Sequence, residues 1–296
     1  MKKRILAFTA LASATGLALA GCASGDDADA GGDGSQGTIT LAVFNGWDEG
    51  VATSELWKAI LEDKGYDVEL EYADVAPLFT GLSTGDYDFT TDVWLPVTHA
   101  SYIESFGDSI EELGAWNTES RLTVAVNEDA PIDSLADLAA NADEFGDQIV
   151  GIEPGAGLTI AMEDAVIPDY GLEDMEFTTS STAAMLTELE AAEQSGENIV
   201  VTLWEPHWAY GAYAIKNLED PEGALGGTES LYSYGREGFS EDYPEVAEWL
   251  SGFEMSLDQL YDLENVLFVE NDTDDYGPLV EQWIEDNQEY VDSLTS

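Results

Sequence analysis

Residues 38–50 read TITLAVFNGWDEG, and the pattern in this stretch decides the fold. Thr38 to Phe44 is a short apolar run rich in β-branched residues, which predicts a buried strand. An Asn-Gly pair then breaks the strand, and the spacing of apolar residues predicts a helix over residues 50–64. Gly65 suits the end of that helix. A strand that turns into a helix is the repeating unit of α/β proteins.

The same unit recurs along the chain. Further strands are predicted at residues 68–73, 89–94, 122–126, 148–152, 198–204 and 231–234. Helices are predicted at residues 76–83, at 134–141 with Ser134 as the N-cap, from 158, at 183–193 and through most of the C-terminal third from 243.

This order predicts an α/β fold with mostly parallel sheets, in which the chain runs out to a second sheet and returns. We expect two lobes with a ligand cleft between them. Lobe A is predicted to comprise residues 38–121 and 233–296, and lobe B residues 122–232. Ligands of such sheets bind at the carboxyl ends of the strands.

The N-terminal residues have the features of a signal peptide. Basic residues at positions 2–4 precede an apolar run of roughly sixteen residues, which is short for a membrane span of about 20. The run ends in Leu-Ala-Gly-Cys, the lipobox of bacterial lipoproteins. We expect residues 1–21 to be a signal peptide, Cys22 to carry a lipid that anchors the protein outside the cell membrane, and residues 22–37 to be a flexible tether. An ordinary secretory signal with an incidental cysteine is the alternative.

Acidic residues dominate the charged composition. Asp and Glu number 62 against 8 Lys and Arg, and the formal net charge is −54. A nucleic-acid partner is excluded because binding to phosphates requires a basic surface. The acidic surface either attracts a cationic ligand or adapts the protein to high external salt, where charges are screened within a few ångströms. We favour salt adaptation.

Three tryptophans stand at predicted strand ends beside Gly or Pro: Trp47, Trp94 and Trp204. Three others, Trp57, Trp249 and Trp283, fall within predicted helices and are expected to be core residues. Strand-end loops are where binding residues concentrate. Indole faces attract cations, and a trimethylammonium group has no N–H, so an aromatic cage is the available way to recognise it. Sugars also stack on indole rings and stay an alternative.

The turn at residues 153–158, Glu-Pro-Gly-Ala-Gly-Leu, precedes a predicted helix. Backbone N–H groups at a helix start attract anions, so this turn is either a carboxylate site or an ordinary glycine-rich turn. His99 and His207 follow two of the strand-end tryptophans. His99 in particular is a candidate donor to a carboxylate in the cleft, and a structural role is the alternative for both.

Several kinds of site leave no trace in the sequence. There is no His, Cys and Asp cluster at metal-ligand spacing, no nucleophile elbow, no P-loop and no dinucleotide fingerprint. We expect no metal, no cofactor and no catalysis.

Four segments resemble the substrate-binding proteins of glycine betaine/proline-betaine ABC importers. They are the Trp-x-x-Gly run that continues through Leu-Glu-Asp-Lys-Gly-Tyr-Asp-Val, Trp-Leu-Pro-x-Thr-His at 94–99, Trp-x-Pro-His-Trp at 204–208, and Arg-Glu-Gly-Phe at 236–239. The resemblance covers nearly all of residues 38–296. It implies a periplasmic-binding-protein-like fold of two α/β lobes that close on the ligand.

The resemblance also implies residue roles. Trp47, Trp94 and Trp204 correspond to a prism around the trimethylammonium group, the backbone amides of Gly157 and Leu158 to the carboxylate site, and His99 to a further carboxylate contact. Two acidic residues leave choline or carnitine as an alternative ligand. Glu205 stands where some betaine binders have Thr, and Glu49 stands where choline-binding relatives have an acidic residue.

The predicted function is capture of glycine betaine, without turnover, by a monomeric lipid-anchored protein that delivers it to a permease with a cytoplasmic ATPase. Choline or carnitine binding within the same class is one alternative. A secreted carbohydrate-active enzyme with Trp platforms and a carboxylate pair is another. A lipoprotein sensor subunit is the third.

Overall fold

The computed structural model describes residues 36–271 and 273–296. The predicted signal peptide, Cys22 and nearly all of the predicted tether lie outside the described residues. Within them, no helix is both long enough and apolar enough to cross a membrane.

Nine strands occur in the part of the chain that the structure describes. They are β1 (Thr38–Phe44), β2 (Asp67–Ala73), β3 (Phe89–Leu95), β4 (Ile110–Asn127), β5 (Gln148–Gly151), β6 (Glu176–Thr179), β7 (Val200–Glu205), β8 (Ile215–Asn217) and β9 (Glu229–Arg236). Their hydrogen-bonded order is β2-β1-β3-β9-β4-β7-β5-β6, with β8 paired to β4.

The same residue ranges contain thirteen α-helices. They are α1 (Asp48–Asp63), α2 (Val75–Thr84), α3 (Ala100–Phe106), α4 (Leu135–Leu138), α5 (Gly157–Ala161), α6 (Ile167–Tyr170), α7 (Thr182–Ser195), α8 (Ala209–Ala212), α9 (Phe239–Asp242), α10 (Pro244–Ser251), α11 (Leu257–Glu264), α12 (Gly277–Asp286) and α13 (Gln288–Leu294). The α/β class is confirmed, and Ser134 caps α4 as predicted, with its hydroxyl accepting from the Ala136 amide at 3.3 Å.

The prediction of mostly parallel sheets is wrong for two strands. β1 runs parallel to β2 and β3, and β5 runs parallel to β6 and β7. Every antiparallel pair involves β4 or β9. Strands β4 and β9 lie in the middle of the sheet order, between the parallel strands at one end of the sheet and those at the other.

Strand β4 joins the two ends of the sheet. Its first part pairs with β9 from Ile110 to Ser120, and its second part pairs with β7 from Arg121 to Val126. We call the strands β2, β1, β3 and β9, with the helices that follow them, side A, and the strands β7, β5, β6 and β8, with theirs, side B. The change of partner in β4 falls between side A and side B, and the lobe boundaries themselves stay a prediction.

The core of side A forms where α1 packs on the sheet and on the C-terminal helices. Trp57 of α1 is fully buried and meets Phe253 edge to face, with ring centroids 5.3 Å apart. Phe253 in turn stacks on Trp116 of β4. Trp57 and Trp283 are core residues as predicted, and Trp249 is half-buried against the core. This packing holds the carboxyl ends of β1 and β3 in place, which matters because the candidate site lies there.

Candidate functional site

One cavity brings together residues that are far apart in the sequence. Six of the predicted site residues line it: Trp47, Glu49, Trp94, Gly157, Leu158 and Trp204. Thr98, Leu122, Ile152 and Ala156 complete the lining. It lies at the carboxyl ends of β1, β3, β5 and β7, as expected for a ligand of such sheets.

The aromatic walls come from both sides. Trp47 follows β1 and Trp94 ends β3 on side A, whereas Trp204 ends β7 on side B. Their exposed fractions are 5%, 3% and 3%, so the three rings are held inside the protein. Trp94 and Trp204 are each followed, after one residue, by a proline with a cis peptide bond.

Each of the three indole N–H groups donates to a carboxylate. The distance from Nε1 to the carboxylate oxygen is 2.5 Å from Trp47 to Glu153, 2.8 Å from Trp94 to Asp92 and 2.9 Å from Trp204 to Glu49. Each of these hydrogen bonds fixes the orientation of its ring. Because the N–H edges are occupied by carboxylates, the electron-rich ring faces are what the walls offer to a ligand.

Four carboxyl groups lie at or behind these walls: Glu49, Asp92 and Glu264 are buried, and Asp48 is half-buried. Burial, followed by the charges of Asp92 and Glu264, raises the pKa of Glu49 well above its usual value. Burial likewise raises the pKa of Asp92 and of Glu264, and for Glu264 the charge of Asp48 adds to it. Burial raises the pKa of Asp48 to about 6, although its hydrogen bond from Trp208 lowers it. We call Asp48, Glu49, Asp92 and Glu264 the carboxylate cluster.

The glycine-containing turn before α5 also lines the cavity. Gly155 has φ +90°, and Gly157 and Leu158 are the first two residues of the helix, where backbone N–H groups have no acceptor within the helix. A Cβ on Gly157 would lie 2.2 Å from the backbone oxygen of Thr98 on side A. Only glycine therefore allows the start of α5 to approach the loop after β3 this closely.

The loop after β3 is itself fixed by a carboxylate. Glu229 of β9 accepts hydrogen bonds from the backbone amides of Val97 and Thr98, and from the Thr98 hydroxyl at 2.5 Å. These bonds hold Thr98 against the cavity and against Gly157.

His99 lies behind the cavity wall. Its Nδ1 accepts from the Trp94 amide at 2.9 Å, and its ring stacks on Trp47 and on Phe44, with centroids 5.4 Å apart in both pairs. The residue is fully buried, and burial lowers its pKa to about 3, so the ring is neutral. His99 is not among the residues that line the cavity. Its present contacts position Trp47 and Trp94, and its contact with a ligand carboxylate stays a prediction.

The Glu205 side chain contacts residues outside the cavity. It accepts from Arg121 Nε at 2.7 Å and from Asn217 Nδ2 at 2.8 Å, and it does not line the cavity. His207, two residues later, accepts from the Ala209 amide through Nδ1 and meets the Trp204 ring edge to face. Of the two acidic residues proposed for specificity, Glu49 alone borders the cavity.

Sequence reasoning missed most of the carboxylates. Asp92 and Glu153 lie within the segments that carry Trp94 and Gly157, but nothing in their spacing marks them as partners of an indole. Glu264 lies on α11, far along the chain from the strand ends, so its position in the cluster follows from tertiary packing alone. Among the described residues, no group of His, Cys, Asp and Glu has an arrangement that could hold a metal ion.

The chain is similar in sequence to known transport proteins. Residues 37–286 match the family OpuAC, described as the substrate binding domain of ABC-type glycine betaine transport system. The chain is 34% identical over 168 residues to the glycine betaine/carnitine transport binding protein GbuC of Listeria monocytogenes. That match covers 56% of this chain and 54% of GbuC, so it spans about half the length of the relative.

Two solved structures share the fold. Lactococcal OpuAC, in its closed-liganded conformation with glycine betaine, has a TM-score of 0.80 and 28% identity, covering 88% of this chain and 99% of that one. An ABC-transporter choline binding protein in complex with choline has a TM-score of 0.78 and 26% identity, covering 86% and 90%. The predicted two-lobe periplasmic-binding-protein fold is confirmed by these likenesses.

The carboxylate cluster predicts that stability falls as the pH rises. Below the ordinary pKa of a glutamate, Glu264 is protonated in both the folded and the unfolded state. Above it, ionisation favours the unfolded state, because folding raises the pKa of this buried group. We expect Glu264→Gln to raise the Tm by at least about 3 °C at pH 8, since one kcal/mol shifts the Tm of a chain this size by roughly 2–4 °C.

The advantage of Glu264→Gln over the wild type should shrink towards pH 5 in thermal melts followed by circular dichroism. Glu281→Gln removes an exposed carboxylate from α12 and serves as the control, with no comparable gain at either pH. A Tm gain for Glu264→Gln that does not change with pH would show that ionisation of Glu264 is not the cause.

Proposed function

This chain belongs to the OpuAC family of substrate-binding domains of ABC-type glycine betaine transport systems, and we propose that it captures glycine betaine outside the cytoplasm and delivers it to an ABC importer. The observation that carries the proposal is the cavity that Trp47, Trp94 and Trp204 line together with the first turn of α5. Such a cavity offers one wall for a cation and another for an anion.

The aromatic wall binds the trimethylammonium group. This group is a permanent cation without an N–H, so ring faces recognise it where hydrogen-bond acceptors cannot. Each indole contributes about 0.5–2 kcal/mol of cation–π attraction, with the larger value at desolvated sites. The three rings are buried, and the hydrogen bond from each N–H edge to a carboxyl group holds its ring in place.

The turn before α5 binds the ligand carboxylate. The amides of Gly157 and Leu158 lie in the first helical turn, where N–H groups attract negative charge. His99 supports this arrangement through the rings that it packs against, and its neutral Nε2–H is a further candidate donor.

Binding proceeds without turnover. The ligand contacts Trp47 and Trp94 on side A together with Trp204 and Gly157 on side B, so it favours the state in which the two sides are closed. The closed protein then docks on a permease that works with a cytoplasmic ATPase. We propose that the working form is a monomer held at the membrane by a lipid on Cys22.

Choline is the second candidate, because Glu49 borders the cavity. An ionised carboxylate there would balance the positive charge of a ligand that has no carboxylate of its own. Burial and the charges of Asp92 and Glu264 raise the pKa of Glu49, however, so the cavity favours a proton on this group. A ligand that brings its own carboxylate for the turn before α5 fits this state better. A glycosidase needs two carboxylates at the reacting bond, and Glu49 is the one carboxylate among the described residues that line the cavity.

The first prediction concerns the ligand. In parallel calorimetric titrations of the purified protein at high salt, we expect glycine betaine to bind at least about tenfold more tightly than choline, a difference of roughly 1.4 kcal/mol. Tighter binding of choline would make Glu49 the main determinant of specificity. Binding of neither ligand would contradict the proposed function.

The second prediction concerns the cage. Trp204→Ala removes one of three ring faces, and we expect the Kd for glycine betaine to rise at least about tenfold in the same titration. Trp249→Ala is the matched control, because Trp249 is half-buried and lies outside the cavity lining. Unchanged affinity in Trp204→Ala would remove this residue from the cage.

The third prediction concerns closure. Gly157→Ala puts a Cβ within 2.2 Å of the Thr98 backbone oxygen, so the two sides cannot approach as they do here. We expect the variant to fold and to lose at least about tenfold in betaine affinity. Gly211→Ala is the control, because a Cβ at that position meets no atom within 4 Å. Wild-type affinity in Gly157→Ala would show that this close approach is not needed for binding.

A further inference from the structure

Three indole–carboxylate hydrogen bonds cross between side A and side B beside the cavity. The segment Trp47-Asp48-Glu49, at the start of α1 on side A, takes part in all of them. Trp47 donates to Glu153 on side B at 2.5 Å. In the reverse direction, Trp204 and Trp208 on side B donate to Glu49 at 2.9 Å and to Asp48 at 2.5 Å. We call these three bonds the clasp.

Glu153 is the acceptor of the clasp that lies on side B, whereas the other two acceptors lie on side A. It lies two residues after β5 and does not line the cavity. One of its oxygens accepts from Trp47, and the other accepts from the amide and the hydroxyl of Thr182 at the start of α7, at 3.0 and 3.1 Å. Both oxygens therefore have partners, and the side chain is fixed on side B independently of Trp47.

The backbone next to Trp47 packs against the same place. Gly46 has φ +77°, and a Cβ on it would lie 3.3 Å from the Thr182 Cβ. The chain from Gly46 to Trp47 thus rests on Thr182 and Glu153, which belong to the opposite side. Behind the Trp47 ring, His99 stacks at 5.4 Å from the other direction, on side A. The orientation of the ring is set from both sides at once.

We propose that Glu153 is a positioning residue, which orients the Trp47 ring for the ligand only when the two sides are closed. The proposal rests on the proposed function, since it assumes a cationic ligand at the Trp47 face. Glu153 acts through Trp47 and makes no contact with the ligand. Its loss therefore weakens binding by freeing the ring and by removing one bond that holds the closed state.

The variants separate this role from a structural one. Glu153→Ala removes the acceptor, and we expect the Kd for glycine betaine to rise at least about tenfold. Glu153→Gln keeps one oxygen that can accept from Trp47 but turns its NH2 group towards the Thr182 amide, so we expect a Kd between those of Glu153→Ala and the wild type. Glu163→Ala, which removes an exposed carboxylate on side B, is the matched control. Melting curves establish that each variant of the full-length protein is folded.

A double-mutant cycle tests whether Glu153 acts through the indole N–H. Trp47→Phe keeps an aromatic ring but removes the donor. In that background we expect Glu153→Ala to change the Kd by less than about twofold, because the interaction is already lost. Equal losses from Glu153→Ala in the wild-type and Trp47→Phe backgrounds would overturn the proposal, as would wild-type affinity in Glu153→Ala.

The indole N–H proton of Trp47 gives a readout that does not depend on the affinity. In ¹⁵N-resolved spectra, Trp47→Phe identifies its resonance. We expect this resonance to be shifted downfield and protected from exchange in the betaine-loaded wild type, and to lose both properties in Glu153→Ala. No change there would overturn the proposal. Failure of the wild type itself to bind betaine would instead count against the proposed function, so the two failures are distinguishable.

Discussion

The site depends on one requirement, which is that each indole N–H at the cavity has an acceptor. Trp47, Trp94 and Trp204 satisfy it with the carboxylates of Glu153, Asp92 and Glu49. This choice of acceptor has two consequences. The bonds fix the ring edges, and two of them, from Trp47 and from Trp204, form only where side A meets side B. The bonds also bring carboxyl groups to the cavity walls, where burial raises the pKa of Glu49 and Asp92.

The cost of this arrangement is a set of carboxylates without basic partners. Within residues 36–271 and 273–296, the ion pairs of Lys and Arg are made with other acidic residues, such as Glu205, Asp133 and Asp88. Indole N–H groups donate to Asp48, Glu49 and Asp92, and burial raises the pKa of all four members of the carboxylate cluster. Stability is given up near the cavity because a lysine or arginine there would repel a cationic ligand.

The sequence predicts helices and strands that have a clear local pattern of apolar residues. It does not predict strands and side chains whose roles depend on residues far away in the chain. β1, α1 and β3 follow from apolar runs and spacing, because each buries one continuous face. The first part of β4 does not, since Gly114 and several polar residues interrupt it and its pairing with β9 shifts register there. The tryptophans stand out at strand ends, but Glu153, Asp92 and Glu264 are three among 62 acidic residues. Only the fold distinguishes these three, by burying them or bonding them to an indole.

The surface charge and the charge of the site are separate features. The last two helices, α12 and α13, carry exposed acidic residues such as Glu281, Glu285 and Asp286, and these helices contribute nothing to the cavity lining. Charges further than about 10 Å from a ligand are screened at 0.1 M salt and more strongly at higher salt, so a distributed surface cannot steer it effectively. The attraction must come from groups that line the cavity, and the faces of Trp47, Trp94 and Trp204 are such groups. We therefore interpret the acidic surface as adaptation to salt, and the buried carboxyl groups as the acceptors that fix the rings for binding.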